Sequence, residues 1–239
     1  MGSIRQPRED ACRGLVLALW GILFVTLSGG CGGSSGGNSI QYAALGASDV
    51  VGVGATPLTN GYVYLIEDGI QKESGKAVDV ENLGVPAAQV QQIKTIEVEI
   101  LKRSAQPNLI TLSTGANDLI AGDSVSSFEG ELENVLSELR ALAPAGVIAI
   151  SNLPDLTKLP RFQDEPDRDV TEVRVQAYNA AIARQARSHD VLLVDLYSVP
   201  LQDSYVSDID GFHPSDAGHQ VIANAFLAVL RPYIPDLAV

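Results

Sequence analysis

The stretch Tyr42-Ala43-Ala44-Leu45-Gly46-Ala47-Ser48-Asp49 carries the reading of the fold. A short apolar run stops at a glycine, and a hydroxyl and an acid follow at once. Tyr42 to Leu45 reads as a strand, because strands covered on both faces are continuous apolar runs. The pattern then alternates along the chain. Pro57 to Lys72 is helix-compatible, with Pro57 suited to a first turn. Val78 and Val80 mark a second strand, stopped by Asn82 and Gly84. Ala87 to Lys102 places Val90, Ile93, Ile96, Ile100 and Leu101 near helical spacing. Leu109 to Leu112 is a third strand, Phe128 to Leu142 a helix, and Val147 to Ile150 a fourth strand. Thr171 to Arg187 is a helix, Val191 to Val194 a fifth strand, and Ser215 to Leu230 a last helix with Ser215 as N-cap. Strands that alternate with helices imply βαβ units and a parallel sheet. Two long polar loops, Pro154 to Asp169 and Pro200 to Gly211, follow strands and so lie at the carboxyl edge. That edge is where ligands bind in open α/β sheets.

Upstream of this domain the composition changes. Arg5, Arg8 and Arg13 precede an uncharged run from Gly14 to Leu27, GLVLALWGILFVTL. A bilayer span needs roughly 20 apolar residues, so this shorter run reads as a secretory signal over residues 1–30, with an uncleaved anchor as the alternative. The chain has two cysteines, and only Cys31 would survive cleavage. Small residues ending in Cys31, then GGSSGGNS, resemble a bacterial lipoprotein signal with a lipidated Cys and a flexible tether over 31–40. Ser28 stands where that signal usually has Leu, and a free thiol is the alternative. The expected setting is therefore export, with a lipid anchor at the cell envelope as the membrane contact, and one domain over 41–239. The formal net charge of -13 excludes nucleic acid as a natural partner, since phosphate binding needs clustered Lys and Arg.

Four segments follow strands: Gly46-Ala47-Ser48-Asp49, Asn82-Leu83-Gly84, Gly115-Ala116-Asn117-Asp118 and, across a long loop, Asp210-Gly211-Phe212-His213. If the strand order is 2-1-3-4-5, the first three meet at the switch point where the crevice opens. A serine hydroxyl needs a neighbouring base to become a nucleophile. His213 supplies that base for Ser48, and Asp210 is placed to fix its tautomer, with Asp208 as the rival. Attack on an ester carbonyl builds charge on oxygen, which preorganised donors must meet. The N–H of Ser48, the N–H of Gly84 and the amide of Asn117 are the candidates. Each has a plainer reading: Ser48, Gly84 and Asn117 are also residue types that turns favour. Asp118 reads as loop support, His189 as a helix C-terminal residue and His219 as a packing residue.

Ser48, Gly84, Asn117 and His213, with Asp-x-x-His-Pro near the end, stand in the order and spacing of the SGNH hydrolases, the GDSL-type esterases. The resemblance runs from Gln41 to about Tyr233. It implies a flavodoxin-like three-layer α/β fold with a five-stranded parallel sheet, and hydrolysis of esters, thioesters or acylated glycans without metal or cofactor. It implies a Ser48–His213–Asp210 triad and an oxyanion hole of Ser48, Gly84 and Asn117. The chain departs from the pattern in its first block, where Ala47 replaces the usual Asp and Asp49 follows the serine. That departure leaves open a non-catalytic surface lipoprotein that binds a ligand in the same crevice. An esterase that deacetylates glycans is a third possibility, weakened because the only Trp, Trp20, lies in the leader.

Other motifs fail. Gly75-Lys76 is followed by Ala77 where a phosphate loop needs Ser or Thr, and Pro57 breaks a dinucleotide fingerprint begun by Gly52 and Gly54. No His, Cys or carboxylate cluster has metal-ligand spacing.

Overall fold

The computed structural model describes residues 39–238. The expected signal, Cys31 and nearly all of the tether lie outside the described residues. Ile40, expected to end the tether, instead begins the first strand and is fully buried.

Five strands form one sheet: β1 (Ile40–Gly46), β2 (Val78–Asn82), β3 (Leu109–Ser113), β4 (Val147–Ser151) and β5 (Leu192–Val194). Every pairing is parallel, as the alternation of elements predicts, and the order is β2-β1-β3-β4-β5, the one that brings the first three strand-end segments together. Ala44 pairs with Asn82 and with Thr111, so the three strand ends line up at one edge.

The helices are α1 (Ser48–Val51), α2 (Tyr62–Ser74), α3 (Val90–Gln92), α4 (Glu99–Leu101), α5 (Ala116–Ile120), α6 (Val125–Leu142), α7 (Pro160–Asp164), α8 (Glu172–Ser188) and α9 (Asp216–Leu230). Successive side chains of a strand point to opposite faces, and β1 shows this plainly. Ile40, Tyr42 and Ala44 pack with Tyr62, Ile66, Phe226 and Leu230 of α2 and α9. Ala43 and Leu45 pack with Val90, Leu132, Val135 and Ile182 on the other side. The result is three layers with a core on each face of the sheet. Side-chain caps start the long helices where the sequence offers them: Ser124 accepts from Ser127 N–H, Thr171 from Arg174 N–H and Ser215 from Gly218 N–H.

Two expectations change. The helix expected over Ala87 to Lys102 is regular only at its ends. A π-helical turn, Ile93–Val98, separates α3 from α4. The wider turn shifts the register, so Ile96 and Ile100 are exposed at 40% and 43% while Glu97 is fully buried. The loop expected to be polar over Pro154 to Asp169 contains a 3-10 turn, Leu156–Lys158, and α7. It buries Leu156, Leu159 and Phe162. Among the described residues no helix is long and apolar enough to cross a membrane.

Candidate active site

The turn after β1 is dictated by lack of space. Gly46 has φ +140, and a Cβ there would lie 2.1 Å from the carbonyl oxygen of Ser113 on β3. Only glycine lets β1 and β3 approach so closely and still turn. Ser48 then opens α1, so its N–H belongs to a first helical turn and has no intrahelical partner.

The second half of the site arrives from far along the chain. Ser207 N–H donates to His213 O at 2.8 Å, and Val206 and Pro214 form an antiparallel bridge. These contacts close the loop that carries His213 upon itself. His213 Nε2 lies 2.9 Å from Ser48 Oγ. Its Nδ1 lies 2.5 Å from Asp210 Oδ2. The other carboxylate oxygen, Asp210 Oδ1, accepts from the N–H groups of Phe212 at 2.9 Å and His213 at 3.0 Å. The acid is thus clamped by the turn that presents the imidazole. Burial opposes the charge of Asp210, but the His213 ring and these two N–H groups outweigh it and hold its pKa below the usual value. With Nδ1–H donating to the carboxylate, Nε2 carries the lone pair that accepts from the serine hydroxyl.

Asn117 and Gly84 stand differently. Asn117, on α5 beyond the end of β3, lines the same crevice as Ser48 and His213. One of its amide hydrogens goes to Ala88 O at 3.0 Å, which orients the group and leaves the second hydrogen for another acceptor. Gly84 packs beside the nucleophile turn, where a Cβ would meet Val50 at 2.9 Å and Ala47 O at 3.1 Å. Its N–H, however, donates to Asn82 Oδ1 at 3.1 Å. To bind an oxyanion it must exchange that contact.

The remaining sequence candidates fall into place. Asp118 is buried and accepts from Val90 N–H, and burial raises its pKa to about 6. His189 caps α8 with Nδ1 3.0 Å from Gln185 O. His219 is fully buried, accepts from Tyr62 N–H and donates to Val53 O, and burial lowers its pKa.

Three further features of the site come from the structure. Asp49 Oδ2 accepts from Ser113 Oγ at 2.6 Å, and burial raises its pKa despite that bond. Beneath the turn, Glu97 Oε2 accepts from Gly46 N–H at 2.7 Å. Burial, with the nearby Asp49 charge, raises the Glu97 pKa to about 8 against the pull of backbone N–H groups. Two acids, one after the serine and one from the π turn, therefore support the block in which Ala47 replaces an Asp. Asn152, after β4, accepts from Leu196 and Tyr197 N–H and donates to Asp195, tying the ends of β4 and β5 together. Its place at a strand end was a signal open to sequence reading; a lone Glu at position 97 offered none. Among the described residues no group of His, Cys, Asp and Glu is arranged to hold a metal.

The crevice at the carboxyl edge of the parallel sheet is thus flanked by Ser48, His213 and Asp210 in hydrogen-bond contact. The sequence matches the GDSL-like Lipase/Acylhydrolase family over residues 44–221, most of the chain. The chain belongs to that family. Within this GDSL-family sequence, Ser48, Gly84, Asn117, Asp210 and His213 all fall inside the matched span. The Bacillus subtilis protein YpmR is 25% identical over 215 residues, covering 82% of this chain and 84% of that protein. A Clostridium thermocellum family 3 carbohydrate esterase superposes with TM-score 0.66 at 18% identity, covering 84% of this chain and 100% of that one. The structure of TesA gives TM-score 0.65 at 18% identity, covering 80% and 98%. The acetylxylan esterase Axe2 from Geobacillus stearothermophilus gives 0.63 at 21%, covering 81% and 95%. At these identities the neighbours establish the fold.

Proposed function

We propose that this chain is a serine carboxylic ester hydrolase acting through an acyl-enzyme on Ser48. The observation that carries the reading is the continuous chain of contacts from Ser48 Oγ to His213 Nε2, at 2.9 Å, and from His213 Nδ1 to Asp210, at 2.5 Å. Ser48 Oγ attacks the ester carbonyl while His213 Nε2 takes its proton. Asp210 keeps the ring oriented and stabilises the imidazolium. The oxyanion is met by the Ser48 N–H and the free amide hydrogen of Asn117, and by Gly84 N–H once it leaves Asn82. Collapse breaks the bond to the alkoxy oxygen, which receives the proton from His213. Water then attacks the acyl-enzyme with the same base, releasing the acid and restoring Ser48.

Export and attachment of a lipid at Cys31 belong to the same proposal, on the sequence of the leader alone. They would put the site at a membrane surface. Cys31→Ser should release the protein into the soluble fraction and abolish labelling by a palmitate analogue.

A fluorophosphonate probe tests the catalytic reading directly, because it modifies only an activated serine. Labelling should map to Ser48 and disappear in Ser48→Ala and His213→Ala, together with hydrolysis of p-nitrophenyl esters. Hydrolysis that persists undiminished in Ser48→Ala removes the proposal.

A further inference from the structure

The crevice at Ser48 does not end at the polar groups. The whole crevice, with Ser48, Asn117 and His213 at one side, has a volume of about 140 Å³ and extends between the loops that follow β4 and β5 and the start of α9. Its walls beyond Ser48, Asn117 and His213 are mainly aliphatic. Leu156 and Leu159 come from the loop after β4, Leu196, Val199 and Leu201 from the loop after β5, and Ile222 from α9. Leu156, Leu159 and Leu196 are buried, so their positions are fixed by the core and not by a ligand. Asn152 also lines the cavity, where its Oδ1 accepts from Leu196 and Tyr197 N–H and one of its two amide hydrogens goes to Asp195. The hydroxyl of Ser113 is likewise committed to Asp49. Few polar groups remain on this wall, the buried Thr114 Oγ1 among them, so a sugar ring would regain few of its hydrogen bonds there and an acetyl group would leave most of the aliphatic surface uncovered.

We infer that this cavity is an acyl-chain slot, and that the preferred substrates are esters or thioesters of acids of medium length, about six carbons. The inference rests on the esterase reading and specifies its substrate. The length follows from volume: an apolar protein cavity of roughly 150 Å³ holds a benzene molecule, six carbon atoms. That count includes the carbonyl carbon, which sits at Ser48. Each methylene moved from water into such a wall favours the transition state by about fourfold, the equivalent of ~0.8 kcal/mol. Over the four methylenes that separate hexanoyl from acetyl this amounts to a preference on the order of 10².

The test is kcat/KM for the protein with p-nitrophenyl esters from acetyl to palmitoyl, beside a series of alkyl acetates that lengthens the alcohol instead. The acyl series should rise from acetyl to hexanoyl or octanoyl and fall by dodecanoyl, and the alcohol series should be flat. Leu201→Trp, which fills the slot from a partly exposed loop position, should cut the hexanoyl-to-acetyl ratio at least tenfold. Val199→Phe serves the same purpose if the first variant does not fold. Binding of hexanoate to Ser48→Ala, followed by calorimetry, reads the slot without turnover and should exceed that of acetate by at least tenfold. A best rate on acetyl esters, or chain-length dependence only in the alcohol series, with Ser48 still labelled by fluorophosphonate, overturns the slot and leaves the esterase standing. Absent labelling and turnover, with hexanoate still preferred by Ser48→Ala, sinks the esterase and leaves an alkyl-binding cavity.

Discussion

Glu97→Gln separates a buried acid that supports the nucleophile turn from an ordinary helix residue. Glu97 is fully buried on the π turn and accepts the N–H of Gly46, two residues before Ser48. Burial raises its pKa from 4.5 to about 8, so the folded protein holds a proton that the unfolded chain has released near neutral pH. The sign follows: the stability this residue contributes is complete below about pH 4.5 and is lost as pH rises through 8. Linkage between those values puts the loss from pH 5 to pH 8 at about 3–4 kcal/mol. Glutamine keeps a carbonyl oxygen for Gly46 N–H but does not titrate. The stability of the variant relative to wild type should therefore climb by about that amount between pH 5 and pH 8. Asp118, whose pKa is also raised, titrates in both proteins and drops out of the difference, whereas Asp49 is coupled to Glu97 and its change is part of what the difference reads. Urea denaturation at each pH, followed by circular dichroism, measures it. Stability curves that stay parallel within about 0.5 kcal/mol would refute a protonated Glu97 in the folded state.

Asp210→Asn preserves the shape of the turn but not the charge on His213 Nδ1, and kcat should fall by on the order of 10⁴ with little change in thermal stability. Asn117→Ala should lower kcat by on the order of 10²–10³ and leave KM for a hexanoyl ester within about threefold, as expected for a donor used in the transition state. Gly54 has φ +95, and a Cβ there would lie 2.1 Å from Pro214 O and 3.2 Å from His213 Cβ. Gly54→Ala should then cost about 2 kcal/mol or more in stability and lower kcat by displacing His213, measured by denaturation and by hydrolysis of a soluble ester.

The comparison of Gly46 with Glu97 shows where sequence reading stops. An apolar run closed by glycine and serine is a local pattern, and the strand and turn it predicts are local structures. The block Asp210-Gly211-Phe212-His213 is legible for the same reason, since the acid grips N–H groups two and three residues away. The helix over Ala87 to Lys102 misleads because its spacing fits two registers. The π turn that chooses between them buries an acid where Gly46 N–H waits, a contact 51 residues distant in sequence. The loop after β4 misleads in a related way. Its charges dominate its composition, whereas its three buried apolar residues decide where it packs.

Alternation of strands and helices was enough to determine a parallel α/β sheet, and four short blocks were enough to point to the family, because each rests on periodicity or on residues next to a strand end. Tertiary structure alone decided that Glu97 underlies the turn that carries Ser48 and that leucines from two loops form one cavity. Those are matters of close packing between segments distant in the chain, where a difference of one helical register moves a side chain from solvent to core.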